Sequence, residues 1–155
     1  MRPIVSVSPA RTDDLAAISA LETAVFGTRA STPRQVARFL ERYPDLLLVA
    51  RGTEQELAGY TIGGGRANPE HDLDPPVGWV NSLAVHPGYR RRGVADSLLV
   101  SLFAALRARG LTRAMLYVQP DNAGALALYA RHGFCVHRDP HPSGELRVTL
   151  GVSLI

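Results

Sequence analysis

Asn81-Ser-Leu-Ala-Val-His-Pro-Gly-Tyr-Arg-Arg-Arg-Gly-Val-Ala-Asp-Ser-Leu-Leu99 is the stretch on which the fold turns. It starts as an apolar strand, turns at His86-Pro87-Gly88, and passes through Arg90, Arg91 and Arg92. An apolar run at helical spacing follows, from Leu98 to Leu106. A strand feeding a glycine-containing turn at a helix start is an anion-binding geometry. The first backbone N–H groups of a helix have no internal partner, and the macrodipole is positive there. Gly93 and Ala95 are small enough to let an anion reach the backbone. The three guanidinium groups add forked donors suited to phosphate oxygens.

Composition bounds the rest. A chain of 155 residues that is 46% hydrophobic can bury one core, so a single domain over 1–155 is expected. No apolar run reaches the length of a membrane span. Met1-Arg2-Pro3-Ile4 leads directly into a strand-like segment, without the pattern of a signal peptide. The single cysteine, Cys135, excludes an intrachain disulfide and fits a reducing compartment, so a cytoplasmic protein is expected. Cys135 sits in an apolar run and reads as a small buried hydrophobe. The net charge is +3, and all 17 basic residues are arginine. A basic chain raises the question of nucleic acid, but the dense cluster is Arg90–Arg92 and no aromatic residues interleave with it. No nucleic-acid or membrane partner is expected.

Upstream, Ile4 to Val7 alternates like a short strand, and Thr12-Asp13-Asp14 suits the first turn of a helix carrying Leu15, Ile18, Leu21 and Val25. Gly27 ends that helix. Thr32-Pro33-Arg34-Gln35 is a capping box with proline at the first helical position, and Pro44 stops the second helix. Leu46–Ala50 and Leu57–Ile62 read as a hairpin around Gly52-Thr-Glu-Gln55, and Gly63 to Pro76 as a long loop. Val77–Val85 is the central strand, and Gly110 closes the long helix. Arg113–Gln119 is a strand, a short helix runs from Asp121 or Asn122 to Arg131, and Phe134–Arg138 with Glu145–Val152 forms a final hairpin. The order is β-α-α-β-β-β-α-β-α-β-β, an α/β chain with helices on both faces of a sheet.

The spacing Arg90-x-x-Gly93-x-Ala95 resembles the Arg/Gln-x-x-Gly-x-Gly/Ala signature of the GCN5-related N-acetyltransferases, the GNAT family. The resemblance extends to Leu83-Ala84-Val85-His86-Pro87 and to Asp121-Asn122-x-x-Ala125-x-x-x-Tyr129-x-x-x-Gly133-Phe134. It covers residues 77 to 138, and the N-terminal half only by element order. It implies the GNAT fold, a mostly antiparallel twisted sheet, with acetyl-CoA as co-substrate. It also implies direct transfer of acetyl to a primary amine in a ternary complex. The family's strand at Leu83, Ala84 and Val85 pairs its backbone with the pantetheine arm. The diphosphate lies over the turn that begins at Arg90, on Arg91, Arg92, Gly93, Val94, Ala95 and Asp96. Asn122 matches a position that contacts the cofactor arm, and Tyr129 one that protonates the departing sulfur.

The base departs from the pattern. Ribosomal-protein N-terminal acetyltransferases of the family carry a glutamate where this chain has Tyr117, and Trp79-Val-Asn-Ser-Leu83 holds no carboxylate. Asn81 can hold a water and Tyr117 can line the amine site. Glu22, Glu70, His71, Asp72 and Asp74 are the other candidates, each also an ordinary surface residue. No histidine pair has metal-ligand spacing, so no metal is expected. The acceptor is a small cationic amine or, in competition, a protein amine. A regulatory acyl-CoA-binding module without catalysis is the alternative, separated from an enzyme by thiol release with a panel of amines. The apolar end Val148–Ile155 fits either a pairing edge in a homodimer or a strand that completes the sheet.

Overall fold

The computed structural model describes residues 5–65, 77–140 and 146–154. Its strands are β1 (Ser6–Pro9), β2 (Leu47–Arg51), β3 (Leu57–Gly64), β4 (Gly78–Val85), β5 (Arg113–Val118), β6 (Cys135–Pro140) and β7 (Leu146–Ser153). Its helices are α1 (Leu15–Phe26), α2 (Pro33–Arg42), α3 (Val94–Ala108) and α4 (Ala123–Arg131). The strands form one sheet in the order β1-β2-β3-β4-β5-β7-β6, antiparallel throughout except where β4 meets β5. The element order is the one expected from periodicity and turn chemistry. The capping box at the start of α2 is formed: Thr32 Oγ1 accepts the Gln35 N–H at 3.2 Å, and Gln35 Oε1 accepts the Thr32 N–H at 2.8 Å.

Alternation along the strands sends side chains to two cores. Leu47, Val49, Tyr60, Ile62 and Ala84 pack with Ile18, Leu21 and Val36 of α1 and α2. Leu48, Ala50, Val80, Leu116 and Val118 pack on the other side with Leu98, Leu102 and Leu106 of α3 and Tyr129 of α4.

Two expectations need correction, and one open alternative is settled. Gly63 and Gly64 belong to β3, not to the following loop; residues 66–76 lie outside the described residues. The last strand, β7, lies between β5 and β6, so of the two placements open to it the sheet takes the second, a strand that completes the sheet. Cys135 is exposed, because it opens β6 at the rim of the sheet.

The glycines of β3 and β4 have a packing reason. A Cβ on Gly63 would lie 2.6 Å from Leu102 Cδ1, and one on Gly78 would lie 2.7 Å from Leu106 Cδ2. On Gly59 it would come within 3.3 Å of Leu98 Cδ1. Leu98, Leu102 and Leu106 are spaced by four residues, share one face of α3, and are fully buried. Each is seated over a glycine, which brings α3 close to the sheet.

Two irregularities shape β4. Gly63 pairs with Val80 and Ile62 with Ser82, so Asn81 is the extra residue of a β-bulge. The parallel pairing with β5 is confined to Gly78 with Ala114 and Trp79 with Met115. Beyond Trp79 the strands separate, and the β5-facing edge of β4 has no strand partner among the described residues.

At the start of α1, the Asp14 carboxylate takes a bidentate pair of hydrogen bonds from Arg51, at 2.8 and 2.6 Å, and a third from the Arg11 N–H at 2.7 Å. The Arg51 bonds, opposed by burial and aided by the Arg11 N–H, hold the Asp14 carboxyl below its usual range. This pair pins the entry of α1 to the end of β2.

Leu102→Ala is expected to cost about 2–5 kcal/mol in urea unfolding, whereas Val100→Ala, 56% exposed on the same helix, changes it by less than about 0.5 kcal/mol. Asp14→Asn is expected to cost about 3 kcal/mol at pH 7. A carboxyl whose pKa is depressed on folding adds stability above its unfolded pKa and loses it as pH falls. The gap between wild type and Asp14→Asn therefore narrows below about pH 4 and closes once folded Asp14 takes up its proton, as urea midpoints across that range will show.

Candidate functional site

The chain leaves β4 at Val85 into a short 3-10 turn at Pro87–Tyr89, where His86 Nδ1 accepts the Gly88 N–H at 3.1 Å. Arg91 and Gly93 then adopt left-handed backbone angles, φ 61° and 78°. A Cβ on Gly93 would meet nothing within 4 Å, so backbone handedness, not space, favours glycine there. The Ser97 N–H bonds the Gly93 carbonyl at 3.0 Å, which starts α3. The N–H groups of Val94, Ala95 and Asp96 have no carbonyl to bond within the helix.

These groups border a cavity of about 240 Å³. Of the residues expected at a phosphate site, Arg90, Arg91, Gly93, Val94, Ala95 and Asp96 line it, together with Val85 from the strand expected to hold the cofactor arm. Tyr89 adds to the wall, and Gly124, Leu128 and Arg131 of α4 form the opposite side. That second wall was not anticipated, although spacings of four and three residues put these three on one helix face. Arg92 is not part of the lining; its guanidinium lies 5.8 Å from the Tyr89 ring centroid. The Tyr89 hydroxyl donates to Glu56 in the turn before β3, and Arg90 Nε donates to the Val85 carbonyl at 3.3 Å. Both contacts brace the turn.

Asp96 is the one acid in this wall. Its Oδ1 accepts from His132 Nε2 at 2.7 Å and from Arg131 at 3.4 Å. Burial disfavours the carboxylate, but the His132 bond and the Arg131 and His132 charges outweigh it, so its pKa is lowered. The contact ties the end of α4 to the start of α3.

Leu83 and Ala84 lie on β4 between the cavity and the bulge. Leu83 packs towards α3, and Ala84 is buried on the other face. Asn122 caps α4, its Oδ1 accepting the Ala125 N–H at 3.1 Å. Tyr129 is buried on the α3 side, with its ring edge-on to Phe134 at 5.4 Å. Burial pushes its phenol up to about 12, so it is protonated at neutral pH. Among the described residues nothing hydrogen-bonds its hydroxyl.

On the α1 side of the gap between β4 and β5, Asn81 is exposed at the bulge and Tyr117 stacks on Trp79 at 5.4 Å. Tyr117 alternates with Leu116 and Val118 of the α3-side core, so it faces the other way. Glu22 is not a surface acid: it is 2% exposed and bonded to Tyr60, Ser82 and the Ser31 N–H. Glu70, His71, Asp72 and Asp74 lie outside the described residues. Among the described residues no helix is long and apolar enough to cross a membrane.

Comparison with known proteins gives a consistent answer. The model of the Acetyltransferase (GNAT) family matches residues 15–134. Over 94 residues, 59% of this chain, it is 40% identical to a mycothiol acetyltransferase of Clavibacter michiganensis, of which the match spans 27%. Over 96 residues, 62% of the chain, it is 35% identical to an acetyltransferase of Sodalis glossinidius, of which the match spans 61%. Ard1 from Thermoplasma volcanium superposes with TM-score 0.82 at 16% identity, covering 97% of this chain and 98% of that one. Salmonella typhimurium yncA, solved with its cofactor acetyl-CoA, superposes with TM-score 0.76 at 22% identity, covering 97% and 94%. These structural likenesses speak to the fold, and the family model to ancestry: the chain belongs to the GNAT family of acetyltransferases.

Proposed function

We propose that this chain is an acetyl-CoA-dependent N-acetyltransferase that passes acetyl directly to a primary amine in a ternary complex. The observation that carries the reading is one continuity. An anion cavity at the start of α3 adjoins a β4 edge left without a strand partner, and that edge leads to a bulge at a gap in the sheet.

The diphosphate of the donor meets the N–H groups of Val94, Ala95 and Asp96 and the guanidinium groups of Arg90 and Arg91. The amides of its pantetheine arm pair with the open backbone edge near Leu83, Ala84 and Val85, as β5 would have done. Four residues of strand, about 13 Å, separate Val85 from Asn81, and the acyl group arrives near the bulge. Holding donor and amine together there supplies the orientation that transfer requires.

Attack by the neutral amine gives a tetrahedral intermediate whose nitrogen gives up one proton to solvent, and its collapse breaks the carbon–sulfur bond, leaving the amide and the thiolate. Tyr129 is the proposed partner of that sulfur. Its phenol, held up at about 12, is a weaker acid than an ordinary thiol at about 8.5. It therefore acts first as a hydrogen-bond donor to the developing charge, and outright protonation of the sulfur follows only as product leaves. Asn81 and Tyr117 border the amine on the opposite side. A small-molecule acceptor is favoured over a protein amine, because the curated relatives at 34–43% identity include mycothiol acetyltransferases.

Calorimetric titration with CoA tests the cradle. Gly93→Glu, which puts a side chain on a left-handed residue and an anion at the site, is expected to weaken CoA at least about 100-fold; unchanged affinity would reject the site. Tyr129→Phe is expected to lower kcat about 100-fold with the KM for acetyl-CoA unmoved, read as thiol release. Equal turnover would remove Tyr129 from the mechanism.

A further inference from the structure

Glu22 is a buried carboxylate with no cation beside it among the described salt bridges. Taking such a group out of water is costly unless its lone pairs are met. They are met by groups from three places in the chain. The Tyr60 hydroxyl of β3 donates to Oε1 at 2.6 Å, and the Ser82 hydroxyl of β4 donates to the same oxygen at 2.5 Å. The Ser31 N–H, just before α2, donates to Oε2 at 2.7 Å. Tyr60 is itself fully buried, and burial followed by the Glu22 bond raises its pKa, which keeps it a donor.

One side chain thus joins the α1–α2 connection to the residue that follows the Asn81 bulge. Both oxygens are engaged and the residue is 2% exposed, which suits it to hold segments together. A connector of Gly27–Arg29 and the residues up to Thr32 has few buried groups of its own to hold it on the sheet. Resting on the transfer reading above, we infer that Glu22 is a positioning residue that clamps the α1–α2 connection against β4 at Ser82 and so sets the acceptor side of the gap.

The test compares Glu22→Gln, Glu22→Ala and Ser82→Ala, with acetyl-CoA as donor and spermine as the probe amine. Glutamine can accept from Ser31 through its carbonyl and meet the two hydroxyls through its amide, so it should stay within about threefold of wild type. Glu22→Ala should raise the KM for spermine at least about tenfold, leaving the KM for acetyl-CoA and the affinity for CoA in place. Hydrogen exchange should quicken at residues 27–33 and 80–84 in Glu22→Ala, and at 80–84 in Ser82→Ala, the variant to use if Glu22→Ala does not fold. A Gln variant as inactive as Ala, with the acid limb of the pH profile gone, would make Glu22 a base and overturn the clamp. An unmoved spermine KM alongside a lowered Tm would make it merely structural and overturn the clamp equally. If the wild type releases no thiol with spermine or with a peptide bearing a free α-amine, the transfer reading fails for these acceptors. Exchange then decides the clamp alone, and unchanged rates at both segments reject it.

Discussion

The seating of α3 on the sheet is the constraint on which the site depends. Leu98, Leu102 and Leu106 each rest over a strand glycine, so the helix can approach closely and in one register. Fixing that register fixes where the first turn points. Val94, Ala95 and Asp96 then present their free N–H groups beside Val85, at the end of β4. A helix set one residue off would aim the same amides elsewhere, and the arginines before it would lose their common target. Core packing and anion recognition are in this sense one design, carried by a single helix.

Charge is balanced around that helix start, not merely accumulated. Arg90 and Arg91 border the cavity from the turn and Arg131 from α4, while Asp96 places a carboxylate among them. His132 and Arg131 hold that carboxylate, which leaves the dipole and the remaining guanidinium groups to act on an anion. On the far side of the sheet a different economy applies. Glu22 is satisfied by hydroxyls and one backbone N–H, with no ion pair among the described residues, and its value lies in the three segments it joins.

The order of strands and helices was legible in the sequence because each element carries its own period and stop signal. The phosphate turn was legible for a similar reason: its glycine, arginines and helix start are local. Features set by distant contacts were not. Gly63-Gly64 looks like a loop until Leu102, far along the chain, is seen to need the space. Glu22 looks like a solvated helix acid, since the groups that bury it, Tyr60 and Ser82, lie 38 and 60 residues away. The place of β7 between β5 and β6 follows from sheet order, which no local pattern encodes. The α4 wall needed the packing of α4 against α3 before Gly124, Leu128 and Arg131 acquired a shared purpose.

The most direct test of the central claim follows the amides themselves. In a titration of ¹⁵N-labelled protein with CoA, the account predicts that the largest shifts fall on the N–H groups of Gly93, Val94, Ala95 and Asp96, with smaller ones along residues 83–85. Saturable binding of CoA that leaves those amides unmoved would contradict it.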